Sequence, residues 1–180
     1  MAFVNLASMK ILQHTFLVVA TVAFFSCREE IKPVLQPKTE VATIAPEATK
    51  RAEIIAFAKQ YMGTKYCYAS SNPGKGFDCS GFVNFVYKHF GVDLPRSSSG
   101  FKNIGKSLKP ENFKVGDVLV FYGYRDKNSI GHVGIVYEAD GMNSKFIHAS
   151  SGKEMAVTVS NLNSDMYTRR FYKCINPLDL

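Results

Sequence analysis

From residue 51 onward, apolar positions recur with helical spacing. Ile54, Ile55, Ala58, Tyr61 and Met62 share one face of a helix predicted over 51–62, and Gly63 ends it. A polar stretch at 69–76 contains Asn72-Pro73-Gly74, a turn signal. A second helical pattern, over 79–90, places Phe82, Val83, Val86, Tyr87 and Phe90 on the buried side, with Gly91 as its stop. After Pro95-Arg96 and a Ser-rich loop the pattern changes to strands. Strands are predicted at 118–122, 132–137, 145–149, 156–160 and 168–174. Short turns such as Asp140-Gly141 and Ser151-Gly152 separate several of them, which favours antiparallel pairing. Helices first and strands afterwards mean an α+β fold, with N-terminal helices packed on one side of an antiparallel sheet of about five strands.

The segment ahead of this domain reads differently. Lys10 is followed by an apolar run over 15–25 and then Ser26-Cys27, the parts of an export signal over 1–26. The run is too short for a membrane span, which needs roughly 20 residues. Met9-Lys10 also fits as a start. A small residue before Cys27 resembles a bacterial lipobox, in which that cysteine is acylated and becomes the mature N-terminus; Phe24 stands where Leu is usual. An ordinary cleaved signal with Cys27 incidental is the plainer alternative. Residues 27–50 hold three prolines, no glycine and no sustained period, so they read as a semi-rigid tether ahead of a domain over 51–180. No internal repeat and no second domain is visible. The expectation is an exported protein, lipid-anchored to a bacterial outer membrane on its periplasmic face, acting as a monomer.

Composition narrows the function. A length of 180 residues suits one domain with an adequate core. Fourteen Phe and nine Tyr with no Trp point to a core and a cleft built from those two rings. The net charge of +7 is scattered over single Lys and Arg residues. Without residues 1–26, which hold one Lys and no acid, 21 basic residues face 15 acidic ones, net +6. A solvated basic surface and attraction to an anionic polymer or membrane both fit this pattern. Nucleic acid is excluded as a partner: there is no basic helix, zinc knuckle or RNP-type motif. If Cys27 is acylated and Cys79 reacts, Cys67 and Cys174 remain, a pair that one disulfide can join; two buried free thiols account for them equally well.

The candidate chemistry lies in three residues. Cys79 follows Asp78, a good N-cap, and so opens the second helix, where the dipole is positive and thiol pKa values fall. Gly81 allows close approach at that helix start. An isolated cysteine is more often a small buried hydrophobe. His132 and His148, however, occupy apolar positions on two consecutive predicted strands, and adjacent antiparallel strands can bring such side chains within hydrogen-bond range. One imidazole can then take the thiol proton while the other orients it. His89 reads as structural. No Cys-x-x-Cys or His-x-x-x-His pair occurs, so neither a metal nor another cofactor is expected.

The run Gly63-Thr64-Lys65-Tyr66 … Gly76-Phe77-Asp78-Cys79-Ser80-Gly81-Phe82 resembles the NlpC/P60 family of cell-wall cysteine peptidases. Leu94-Pro95-Arg96-Ser97-Ser98, Val115-Gly116-Asp117-Val118, Gly131-His132-Val133-Gly134-Ile135 and Phe146-Ile147-His148-Ala149 continue the likeness in order, over about 51–172. The resemblance implies a papain-like fold with Cys79 as nucleophile, His132 as base and His148 as orienting residue. It places Tyr66 in the cleft, Asp78 and Ser80 beside the nucleophile as substrate-holding groups, and Ser98 more loosely at the cleft. Ala69-Ser70 replaces a usual Gly pair, and Ser99-Gly100 replaces a stretch leading to Gln; both bear on substrate preference. Cys79 precedes both histidines, unlike the permuted relatives of lecithin:retinol acyltransferase or the caspases.

The implied function is hydrolysis of amide bonds in peptidoglycan stem peptides. The D-Glu–diamino acid bond comes first and the cross-link between stems second. An amidase or transpeptidase on the same scaffold, and a wall-binding lipoprotein with a degenerate site, are the alternatives.

Overall fold

A computed structural model describes residues 46–180. The expected signal, Cys27 and all of the expected tether but its last five residues lie outside the described residues. Helix α1 spans Pro46–Lys59, five residues ahead of the predicted start. Pro46 has the preset φ favoured at a helix start, and Glu47 pairs one turn on with Arg51 at 2.8 Å. Past Lys59 the chain leaves the helical path through short turns, so Met62 is exposed rather than buried. Gly63 then takes φ +79, the left-handed region open to glycine.

Two short strands follow, β1 (Ser71–Asn72) and β2 (Gly76–Phe77), paired across the Pro73-Gly74 turn. Helix α2 spans Cys79–His89 and buries Phe82, Val83, Val86 and Tyr87, while Phe90 is half-buried at its C-cap. Strands β3 (Val118–Tyr122), β4 (Ile130–Glu138), β5 (Lys145–Ala149), β6 (Val157–Asn161) and β7 (Phe171–Ile175) form one sheet. Their order is β6-β5-β4-β3-β7, antiparallel throughout. Helix α3 (Asp165–Thr168) and the turn after it take the first three residues of the predicted fifth strand, so β7 starts at Phe171.

Strand alternation divides the core in two. Val118, Val120, Val133, Ile135, Ile147 and Ala149 share a cluster with Ile54, Phe82, Val83 and Val86 of the two helices. Leu119, Phe121, Val136, Phe146 and Cys174 form the other cluster, with Leu162 and Tyr167. Arg51, buried, ties α1 to the sheet by donating to Asp117 at 2.8 Å, to the Val115 carbonyl at 2.9 Å and to Asn176 at 2.8 Å. Asp117 is fully buried and paired, the condition under which a buried carboxylate is tolerable. Cys67 and Cys174 are both free thiols.

Candidate active site

Asp78 sets the start of α2. Its Oδ1 accepts from the Gly81 amide at 2.6 Å and from Ser80 Oγ at 3.2 Å, which leaves Cys79 as the first helical residue. Gly81 is required here: a Cβ at that position would stand 2.2 Å from the Ser70 carbonyl oxygen. The same Ser70 carbonyl accepts from the Asp78 amide at 2.9 Å, so the loop before β1 is pressed against the helix start. Ala69, in that loop, holds φ +56, an uncommon angle for a residue with a Cβ.

Cys79 lies on the floor of a cavity of about 410 Å³, together with Tyr66, Asp78, Ser80, Arg96 and Ser98. The resemblance placed four of these in the cleft beside the cysteine, and the structure brings them together. Arg96 is the addition. Its guanidinium grips both oxygens of Asp78, at 3.0 and 2.9 Å, so that carboxylate is taken up by the protein itself. In the sequence it stands within the motif Leu94-Pro95-Arg96-Ser97-Ser98, which carried no role for it.

The two histidines sit on neighbouring strands, His132 on β4 and His148 on β5, packed with Phe121, Phe146 and Tyr167. Ile135 pairs with Ile147 and Val136 with Phe146, which puts His132 diagonal to His148 rather than directly across from it. The rings nevertheless meet: His132 Nε2 is 2.9 Å from His148 Nδ1, with the ring planes at 90°. Gly134 makes this possible, because a Cβ there would lie 2.5 Å from the Phe146 ring and 3.0 Å from His148 Cβ. Beyond His148, its Nε2 faces Ser160 Oγ at 2.9 Å and the Tyr167 hydroxyl at 3.4 Å. Ser160 and Tyr167 carry no local motif; they reach the site from an edge strand and a four-residue helix. His89 stands apart, stacked on Phe57 at 3.9 Å.

Burial governs the electrostatics. It pushes the Cys79 thiol above its ordinary pKa, helped by the neighbouring Asp78 carboxylate and opposed by the Val133 amide. This is the opposite direction to the one expected from the N-cap, because burial penalises the charged thiol more than the helix start favours it. His132 is held well below its ordinary range by burial, with His148 and Arg170 adding to the shift. Burial brings His148 down to about 4. Burial thus works against the charged form of the thiol and of both rings.

The domain thus holds a buried cysteine at a capped helix start, a linked pair of imidazoles, and a cavity lined both by Cys79 and by Gly131, the neighbour of His132. The model of the NlpC/P60 family matches residues 63–176. The chain belongs to the NlpC/P60 family. It is 37% identical over 124 residues to the γ-DL-glutamyl hydrolase of Bacillus subtilis, a match that covers 68% of this chain and 28% of that protein. It is 34% identical over 112 residues to the murein DD-endopeptidase MepS/murein LD-carboxypeptidase of Escherichia coli, covering 62% of this chain and 54% of the relative. Among solved structures, an NlpC/P60 family protein from Bacillus cereus superposes with a TM-score of 0.63 at 29% identity, over 71% of this chain and 40% of that one. The chain thus spans about a quarter to a half of these curated NlpC/P60 relatives. The α+β, papain-like fold expected from the sequence is the fold of these neighbours.

Proposed function

We propose that the protein hydrolyses amide bonds in the stem peptides of peptidoglycan, with Cys79 as nucleophile, His132 as base and His148 as its orienting partner. The observation that carries this reading is the 2.9 Å contact between His132 Nε2 and His148 Nδ1. It commits the far nitrogen of His132 and leaves Nδ1 for the thiol. The murein and γ-glutamyl activities named for the relatives supply the substrate class.

As the peptide binds, His132 Nδ1 takes the thiol proton and Sγ attacks the amide carbonyl carbon. The carbon–nitrogen bond breaks when the imidazolium passes that proton to the leaving amine, and the acyl half stays on Sγ as a thioester. Water, deprotonated by His132, then hydrolyses the thioester to the acid and restores the thiol. The first N–H of α2, that of Cys79, has no acceptor within the helix and is the donor proposed for the oxyanion. Tyr66, Ser80, Arg96 and Ser98 line the cavity that receives the acyl half. Asp78 holds Arg96 and the helix start in place.

The bond favoured is the one between D-Glu and the diamino acid, in line with the γ-glutamyl relative; the stem cross-link is second, in line with the murein endopeptidase. Incubation with purified wall fragments, followed by mass spectrometry of the peptides, separates the two by the masses released. Unchanged fragments would refute the reading.

The proposal extends to place. Residues 1–26 act as an export signal, and acylated Cys27 holds the domain at the outer membrane, facing the periplasm. Cys27→Ser should free the protein from the membrane fraction without altering its activity on soluble fragments. Wild-type protein that lacks acyl groups by mass spectrometry would contradict this.

A further inference from the structure

Two imidazoles joined nitrogen to nitrogen share one hydrogen, and a neutral imidazole has one donor and one acceptor. Only two arrangements of the His132–His148 pair are therefore open. In the first, His132 carries its hydrogen on Nε2 and gives it to His148 Nδ1. His132 Nδ1 is then a bare lone pair, and His148 carries its own hydrogen on Nε2. In the second, His148 Nδ1 donates, His132 must carry its hydrogen on Nδ1, and that nitrogen can no longer accept a proton from a thiol. The first arrangement is a competent base and the second is not.

The choice is made at the far end of the pair, at His148 Nε2. His148 is fully buried, and the groups bonded to this nitrogen are two hydroxyls, Ser160 Oγ at 2.9 Å and Tyr167 OH at 3.4 Å. A hydroxyl can donate or accept, so neither alone fixes the hydrogen. Both hydroxyls face the same nitrogen, Ser160 at the shorter distance. When Ser160 turns its own hydrogen away from the ring, its lone pairs remain for His148.

We propose that Ser160, backed by Tyr167, is a positioning residue that accepts the Nε2 hydrogen of His148, fixes the tautomer of that ring and thereby keeps His132 Nδ1 bare. Ser160 sits on the edge strand β6, paired with Phe146 and diagonal to His148 on the same face, so its hydroxyl reaches Nε2 from the side. The thiol proton never reaches Ser160; the residue acts two bonds removed, through the orientation of hydrogens. This inference rests on the reading of His132 as base, but its first test does not need turnover.

The test is nitrogen NMR of the protein with labelled histidine at neutral pH. Wild-type His132 and His148 should both show a protonated Nε2 and a bare Nδ1. Ser160→Ala with Tyr167→Phe should turn both rings into a tautomer mixture, while Ser160→Thr, which keeps the hydroxyl, should preserve the wild-type spectrum. On wall fragments, Ser160→Ala should lower kcat about tenfold, the worth of one hydrogen bond, with KM within about twofold. Loss of both hydroxyls should cost on the order of a hundredfold, whereas Ser160→Thr, with Tyr167 intact, should keep most of the wild-type rate. A wild-type His148 protonated on Nδ1 overturns the proposal, whatever the variants do. So does a double variant whose rings keep the wild-type tautomer. If wild-type protein leaves wall fragments uncut, the functional reading falls and the spectrum alone decides this one.

Discussion

Arg96 holds Asp78 by both carboxylate oxygens, at 3.0 and 2.9 Å, across 18 residues of sequence. Asp78 at the same time caps α2 through the Gly81 amide. One carboxylate thus fixes both the helix start that presents Cys79 and the arginine on the cleft wall. Asp78→Ala should destabilise the domain by about 1–2 kcal/mol through the lost cap. Arg96→Gln should cost less than about 1 kcal/mol, since the arginine side chain is 42% exposed and water screens the pair. For activity, displacement of the helix start should cost Asp78→Ala on the order of 10–100-fold in kcat/KM. Chemical denaturation and steady-state rates on wall fragments check both; an Asp78→Ala variant as stable and active as wild type would contradict the role.

Gly134→Ala should separate the two histidines. The added methyl would meet the Phe146 ring and His148 Cβ inside a packed face. Overpacking of this kind typically costs 1–3 kcal/mol. Activity should fall further than stability explains, because His148 must shift to accommodate it. Full activity in a folded Gly134→Ala protein would show that the 2.9 Å contact is dispensable.

Stability should fall in mild acid. Burial holds His148 at about 4 in the folded protein, against 6.5 for the free side chain. Between those values the unfolded chain binds a proton that the folded protein refuses, so stability drops as pH falls from 6.5 and levels off below 4. The full span is on the order of 3 kcal/mol at 1.36 kcal/mol per pH unit. His132, lowered by burial as well, adds to it with the same sign. Urea midpoints between pH 7 and 4 measure this. His148→Gln should flatten much of the slope, and an equal slope in that variant would contradict the assignment.

Alkylation of Cys79 should be slow at neutral pH and rise above the ordinary thiol range, because burial and Asp78 both oppose the thiolate. His132→Ala should slow it further at pH 7, by removing the proton acceptor, and more so than His148→Ala. A fast reaction at pH 6 in the free protein would mean a resting thiolate–imidazolium pair.

Much of the fold was legible because its signals are local. The helical spacing of Phe82, Val83, Val86 and Tyr87 survives in α2, and the strands predicted at 118–122 and 145–149 match the bounds of β3 and β5. Local signals failed where short elements or tertiary contacts decide. Two-residue strands such as β1 and β2 are too short to show a period, and the four-residue helix α3 ends where the fifth strand was predicted to begin. Cys79, His132 and His148 stand in motifs that survive as words in the chain. Ser160 and Tyr167 do not: each acts through one side chain delivered across the fold, and nothing in their own neighbourhoods announces it; Arg96 stands in a motif, Leu94-Pro95-Arg96-Ser97-Ser98, that gave no sign of its pairing with Asp78. The direction of the thiol pKa was out of reach for the same reason, since it depends on how completely the site closes.

The most direct measurement is a comparison of wild-type protein with Cys79→Ala, His132→Asn and His148→Asn on purified peptidoglycan fragments, read by mass spectrometry for new amines and shortened stems. Wild type should release them. Cys79→Ala and His132→Asn should release almost none, because members of one proton-transfer unit fail together. His148→Asn should keep a measurable fraction, since a neutral amide can still accept from His132 Nε2. Release of the same peptides by Cys79→Ala at more than a few per cent of the wild-type rate would contradict the account.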